Sequence, residues 1–155
     1  MLAAEPHQVI TAKTLKELAQ CIKIRIIVFT HEQQFPIEAE LDEHVKDTLN
    51  ANAAHFLLQS TPSLMPIGTI RACKFTSTQI TENGLHSTKT YYKLTRFAIL
   101  KEFRGKHLGE ALVHRLHEWV LEDAAKDRLQ TLDGTSATVT IIAHSQIYAT
   151  GFYAR

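Results

Sequence analysis

The sequence predicts an α/β or α+β domain with helices on both faces of a central sheet. Three observations carry this. Strand-like and helix-like periodicities are interleaved along 155 residues, about the length of one ordinary domain. An early amphipathic segment opens with a helix-capping signature. In the second half, a long apolar strand runs through a basic, glycine-bearing turn into an amphipathic helix. With 45% hydrophobic and 21% charged residues, the chain has enough apolar mass for a core and an ordinary globular surface. The expectation is a single domain over residues 1–155.

His7 to Thr11 reads as a short strand. Thr14-Leu15-Lys16-Glu17 is a capping box, with a hydroxyl at the N-cap and a carboxylate three residues on. Leu15, Leu18, Ile22, Ile26 and Phe29 follow at helical spacing, so a helix is expected, ended near Pro36. Glu38 to Asp47 is acidic and short enough for one more helix. Ala54 to Gln59 and Ile67 to Phe75 are strand-like, with a Pro- and Ser-rich turn between them. The polar run from Thr76 to Thr88 reads as a mobile loop.

Tyr91 to Leu100 reads as a long strand. A helix is expected from Gly109 to about Lys126, with Leu112, Leu116, Trp119 and Val120 on its apolar face. Asp133-Gly134 marks a turn, Ala137 to Ala143 a β-branched strand, and Gln146 to Tyr153 a last helix.

Seventeen basic residues against sixteen acidic leave a net charge of +1, which suits neither a dedicated nucleic-acid surface nor a membrane surface. No segment approaches the roughly 20 apolar residues of a membrane span, and no signal-peptide pattern opens the chain. A soluble, cytoplasmic protein is expected. Cys21 and Cys73 sit in no paired or zinc-like spacing, and the nine His residues are scattered, so neither a disulfide framework nor a metal is expected.

Lys101 to Gly109 carries the chemistry. It joins a strand end to a helix start, where unpartnered backbone N–H groups and the helix dipole favour an anion. Gly105 and Gly109 leave room for a phosphate against the main chain, and Arg104 and Lys106 add positive charge. The turn lacks Gly-Lys-Ser/Thr and Gly-x-Gly-x-x-Gly, which argues against a nucleoside triphosphatase and a dehydrogenase. On these residues alone, an ordinary turn or a phosphate-binding regulatory domain is still open.

Three segments together resemble the GCN5-related N-acetyltransferase family. Leu94-Thr95-Arg96-Phe97-Ala98-Ile99-Leu100 looks like its fourth strand. Phe103-Arg104-Gly105-Lys106-His107-Leu108-Gly109-Glu110-Ala111-Leu112 is similar to its pyrophosphate loop. His144-Ser145-Gln146-Ile147-Tyr148-Ala149-Thr150-Gly151-Phe152-Tyr153 resembles its Phe-Tyr helix. A fainter likeness joins Arg25-Ile26-Ile27-Val28-Phe29, Glu32-Gln33 and Pro36 to a small bacterial-type branch, in which the acceptor pocket lies beside this segment. The resemblance implies a mixed, mostly antiparallel sheet. It also implies an acetyl-CoA-dependent N-acetyltransferase acting on a primary amine of a small molecule. Acetyl-CoA is then a co-substrate, and sheet-edge homodimers are common in the family.

The resemblance carries over residue by residue. Phe97, Ala98 and Ile99 would pair with the pantetheine arm, and backbone N–H groups near Ala98 and Ile99 would polarise the thioester. Arg104, Gly105, Lys106, His107, Leu108, Gly109 and Glu110 would hold the pyrophosphate, and Gln146 would touch the cofactor arm. Tyr153 would protonate the departing thiolate. For the base that deprotonates the amine, Glu32, His31, Glu40, Asp42 and His44 lie in the right region, and Glu32 is the choice. Tyr91 and Tyr92 are candidates for shaping the acceptor pocket. Two departures stand out. His107 replaces the loop's first glycine, where a positive φ would strain it. The chain also ends at Arg155, so the family's last hairpin is expected to be missing through truncation. The competing expectation is a non-catalytic module of the same fold that binds CoA or a protein.

Overall fold

A computed structural model of the chain describes residues 6–40, 52–128 and 139–143. β1 (His7–Thr11) leads through Thr14 into α1 (Leu15–Arg25), which widens without a break into a π-turn, Ile26–Glu32. A 3-10 turn follows at Ile37–Glu40. β2 (Ala53–Ser60), β3 (Pro66–Ile80) and β4 (His86–Ile99) form a meander. A 3-10 turn at Lys101–Phe103 then leads towards α2 (Leu108–Arg128), and β5 (Ile141–Ala143) is the last element among the described residues. Asp42, His44, the Asp133-Gly134 turn and the whole segment from His144 to Tyr153 lie outside the described residues.

The sheet has five strands in chain order. β1 to β4 are antiparallel neighbours, and β5 runs parallel to β4, so α2 is the crossover between them. This is the mixed, mostly antiparallel sheet expected. On one face, Leu112, Leu116 and Val120 of α2 are fully buried against Phe56, Leu58, Ile70, Tyr92 and Leu94. On the other, Cys21, Ile24 and Val28 pack on Leu57 and Ala98. Each helix thus buries one apolar stripe against one face of the sheet.

Local chemistry explains the elements. The Thr14 hydroxyl accepts from Glu17 N–H at 3.1 Å, and Glu17 Oε2 accepts from Thr14 N–H at 3.2 Å, closing the capping box. The buried stripe of α1 is Leu18, Cys21 and Ile24, with Arg25. It is rotated from the expected one, because Leu15 lies 73% exposed. Gly68 lets α2 approach the sheet: a Cβ there would stand 2.5 Å from Ile99 Cδ1 and 3.2 Å from Leu112 Cδ1.

The expected loop at Thr76 to Thr88 is instead the outer half of a hairpin. β3 and β4 pair out to Ile80 and His86, joined by a turn in which Thr81 N–H donates to Leu85 O at 2.8 Å. Beyond the Lys74–Tyr92 rung it pairs with neither β2 nor β5 among the described residues. Thr76, Ser77, Thr78 and Ile80 are exposed. With water on both faces, such a ribbon needs no apolar alternation and shows none.

Candidate functional site

The site grows from a defect in β4. Thr69 pairs with Ala98 but Arg71 with Thr95, so Ile70 alone faces both Arg96 and Phe97. This is a β-bulge, and Arg96 takes a left-handed φ of 52° within it. Among the described residues, β5 accompanies β4 at Tyr92, Lys93 and Leu94. Past the bulge, Thr95 to Ile99 has no strand on that side among the described residues, which leaves a cleft.

Backbone directions in the cleft follow from one bond. Leu100 N–H donates to Ile67 O at 2.9 Å. Direction alternates along a strand, so Ala98 N–H also faces β3, while the N–H and C=O of Ile99 face the open side. Consistent with this, Ile99 O accepts from Arg104 Nε at 2.8 Å. The side chains of Phe97 and Ile99 pack on the α2 face, and Ala98 is buried on the α1 face.

The turn from β4 to α2 winds through two left-handed residues, Gly105 at φ 78° and His107 at φ 58°. Gly105 is open, since a Cβ there would meet nothing within 4 Å. His107, in the place of the expected glycine, keeps the left-handed shape. Its side chain stays out in solvent, with Nδ1 3.2 Å from Glu110 Oε1. Lys106 Nζ lies 5.7 Å from the centre of the Phe103 ring. Leu108, Gly109 and Glu110 form the first turn of α2, where backbone N–H groups lack helical acceptors.

Arg104 is more constrained than a surface cation. Besides Ile99 O, it reaches Glu32 Oε2 at 2.8 Å. Glu32, the expected base, ends the π-turn, and the structure brings it beside the turn that follows β4. His31 is exposed. Gln146 and Tyr153 lie outside the described residues.

Tyr92 lies away from the cleft. It is 2% exposed, packs edge-on against Trp119 on the α2 face, and donates to Asp123 Oδ2 at 2.7 Å. Lys74 completes that anchor with an ion pair to Asp123 at 2.8 Å. Tyr91 stacks on Phe75 in the outer hairpin. The expected pocket-shaping role is therefore replaced by core packing for Tyr92.

Several polar residues escaped the sequence reading. His55, Arg71 and Thr95 stand in register across β2, β3 and β4. Arg71 Nε donates to Thr95 Oγ1 at 3.0 Å, and Arg25 is fully buried. Arg96 reaches from the bulge to Ala39 O at 2.8 Å. One signal was present: Arg71 is a cation between Ile70 and Ala72 in the apolar half of β3, where a solvated surface role is least natural.

The site thus combines a bulged β4, an N–H facing its open side and a left-handed turn at a helix N-terminus. The model of the acetyltransferase (GNAT) family matches residues 18–154, and the chain belongs to that family. A candidate acetyltransferase of Bacillus subtilis (strain 168) is 32% identical over 138 residues, spanning 89% of this chain and 74% of the relative. Among solved structures, an acetyltransferase with acetyl-CoA from Clostridium acetobutylicum superposes with TM-score 0.67 at 14% identity, covering 96% of this chain and 86% of that one. A GCN5-related N-acetyltransferase from Ralstonia eutropha JMP134 gives 0.61 at 10% identity, covering 96% and 89%. These last two likenesses speak for the fold. Among the described residues, no helix is long and apolar enough to cross a membrane.

Proposed function

We propose that the protein transfers an acetyl group from acetyl-CoA to a primary amine of a small molecule. The observation that carries this reading is the left-handed Gly105–His107 turn, opening α2 beside the end of β4 that no strand accompanies among the described residues. The turn suits a diphosphate: Gly105 is open, and the first-turn N–H groups of Leu108, Gly109 and Glu110 aim at the same place. Acetyl-CoA would supply the activated thioester.

The protein's own residues would do the rest. Holding amine and thioester together supplies several kcal/mol or more of the acceleration. Ile99 N–H, which faces the cleft, is the donor placed to stabilise negative charge on the thioester carbonyl oxygen. Ala98 N–H is taken up by β3 and is left out of that role. As the amine nitrogen bonds to the acetyl carbon and the C–S bond breaks, Tyr153 is proposed to give its proton to the sulfur and to be reprotonated by the proton that the amine releases through water, with Gln146 holding the cofactor arm.

Titration calorimetry with acetyl-CoA tests the binding half, and mass spectrometry of a small-amine panel tests the transfer half. The expected outcome is saturable binding and a product 42 Da heavier, about the mass of an acetyl group replacing hydrogen. Tyr153→Phe is expected to lower kcat about 100-fold while acetyl-CoA affinity stays within about threefold. Tight binding without transfer to any amine would favour a non-catalytic CoA-binding module.

A further inference from the structure

We infer that Glu32 is a positioning residue: through Arg104 it holds the turn that meets the cofactor diphosphate, and it is not the base that deprotonates the amine. This inference rests on the acetyl-CoA reading above and assigns one residue's part in it.

The geometry begins with Arg104. Its guanidinium is held from two sides, by Ile99 O on Nε at 2.8 Å and by Glu32 Oε2 on a terminal nitrogen at 2.8 Å. Ile99 and Arg104 flank the 3-10 turn Lys101–Phe103, so the first contact closes that turn on itself. Arg104 is extended, at φ −73° and ψ 155°, and the chain then bends through Gly105 and His107. The left-handed bend therefore starts from a residue whose side chain is already fixed.

Glu32 is a firm anchor. It lies 72 residues away in sequence, at the end of a π-turn that Val28 plants in the core. Behind it, Gln34 N–H donates to Thr30 O and Phe35 N–H to Phe29 O. A second tie joins the same segment to β4, where Arg96 reaches Ala39 O from the bulge. The segment is thus tied at Glu32 to the turn after β4 and at Ala39 to β4 itself. A carboxylate acting as base needs a free oxygen turned to the amine. Glu32 instead turns Oε2 to a permanent cation. The pair is partly exposed, at 28% and 41%, so its effect on global stability is small and its effect is on geometry.

The test compares full-length wild type with Glu32→Ala, Glu32→Gln and Arg104→Gln. Acetyl-CoA Kd is read by calorimetry, kcat and KM are read across pH, and melting temperature serves as a folding control. Glu32→Ala is expected to raise Kd and KM for acetyl-CoA about tenfold, with kcat within about threefold and the acid limb of the pH profile unmoved. Glu32→Gln, which keeps an oxygen for Arg104, recovers part of the loss. Adding Arg104→Gln to Glu32→Ala is expected to cost little more, because the two act as one unit. A kcat loss of about 100-fold at unchanged Kd would make Glu32 the base and overturn the inference. So would tighter binding in Glu32→Ala, which would mean that Glu32 draws Arg104 away from the phosphate. Equal binding by wild type and variant overturns this inference alone, whereas a wild type that binds no acetyl-CoA overturns the functional reading with it.

Discussion

His107 takes φ 58° where a left-handed residue disfavours a side chain by about 1–2 kcal/mol. It does so with its ring in solvent beside Glu110, so the backbone shape and the side chain are separable. His107→Gly should relieve that strain, partly offset by the greater freedom of glycine in the unfolded chain, about 0.5–1 kcal/mol. The expected net gain is up to about 1 kcal/mol, a rise of up to about 4 °C in melting temperature. Calorimetry should find acetyl-CoA affinity within about threefold of wild type; a tenfold loss would mean that the imidazole itself binds. At this scale the sequence was half legible. The need for a left-handed residue could be inferred at His107, but not the Glu32–Arg104 pair, because nothing in local pattern joins residues 72 positions apart.

Gly68 shows how an element is seated. The close approach of α2 depends on a missing methyl between Ile99 and Leu112. Gly68→Ala would force Ile99 or Leu112 off its rotamer, or shift α2. Overpacking of this kind destabilises by about 1–3 kcal/mol, readable in chemical denaturation as a lower midpoint at unchanged slope. α2 itself was legible, since Leu112, Leu116 and Val120 recur at four-residue spacing and are all fully buried. The capping box of α1 was legible for the same reason: its chemistry is contained within four residues. The outer hairpin was not, because its consecutive Thr76, Ser77 and Thr78 are all exposed and leave no alternation. Nor was the π-turn, whose wider winding has no periodic marker over only seven residues.

For the molecule as a whole, the buried Cys21 links stability to pH. Burial pushes its thiol up to about 11. The neutral thiol is the form that the folded core tolerates, whereas the unfolded chain ionises near an ordinary value of about 8.5. The unfolded state therefore loses its proton first as pH rises. This contribution to stability is complete below about pH 8 and declines until the folded thiol itself ionises near 11. Cys21→Ser or Cys21→Ala should flatten the fall in denaturation midpoint between about pH 8.5 and 10.5 relative to wild type. The fold class, the two-faced helix arrangement and the basic turn were all legible at this scale, because each leaves a periodic or compositional trace. The β4 bulge, which opens the cleft, was not, since it depends on a register shift between two strands.

The short parallel contact of β5 has a kinetic consequence. β2, β3 and β4 meet through tight hairpin connections and can pair as soon as neighbouring segments collapse. β5 must wait for α2 to cross over, and among the described residues it then gains three paired positions, Ile141 to Ala143. Loop closure over that distance precedes its reward, so one wall of the cleft forms early and the other late. Nascent chains emerging from synthesis would carry a finished β4 with its bulge before β5 stands beside it, so the cleft would take shape after the meander that bears it.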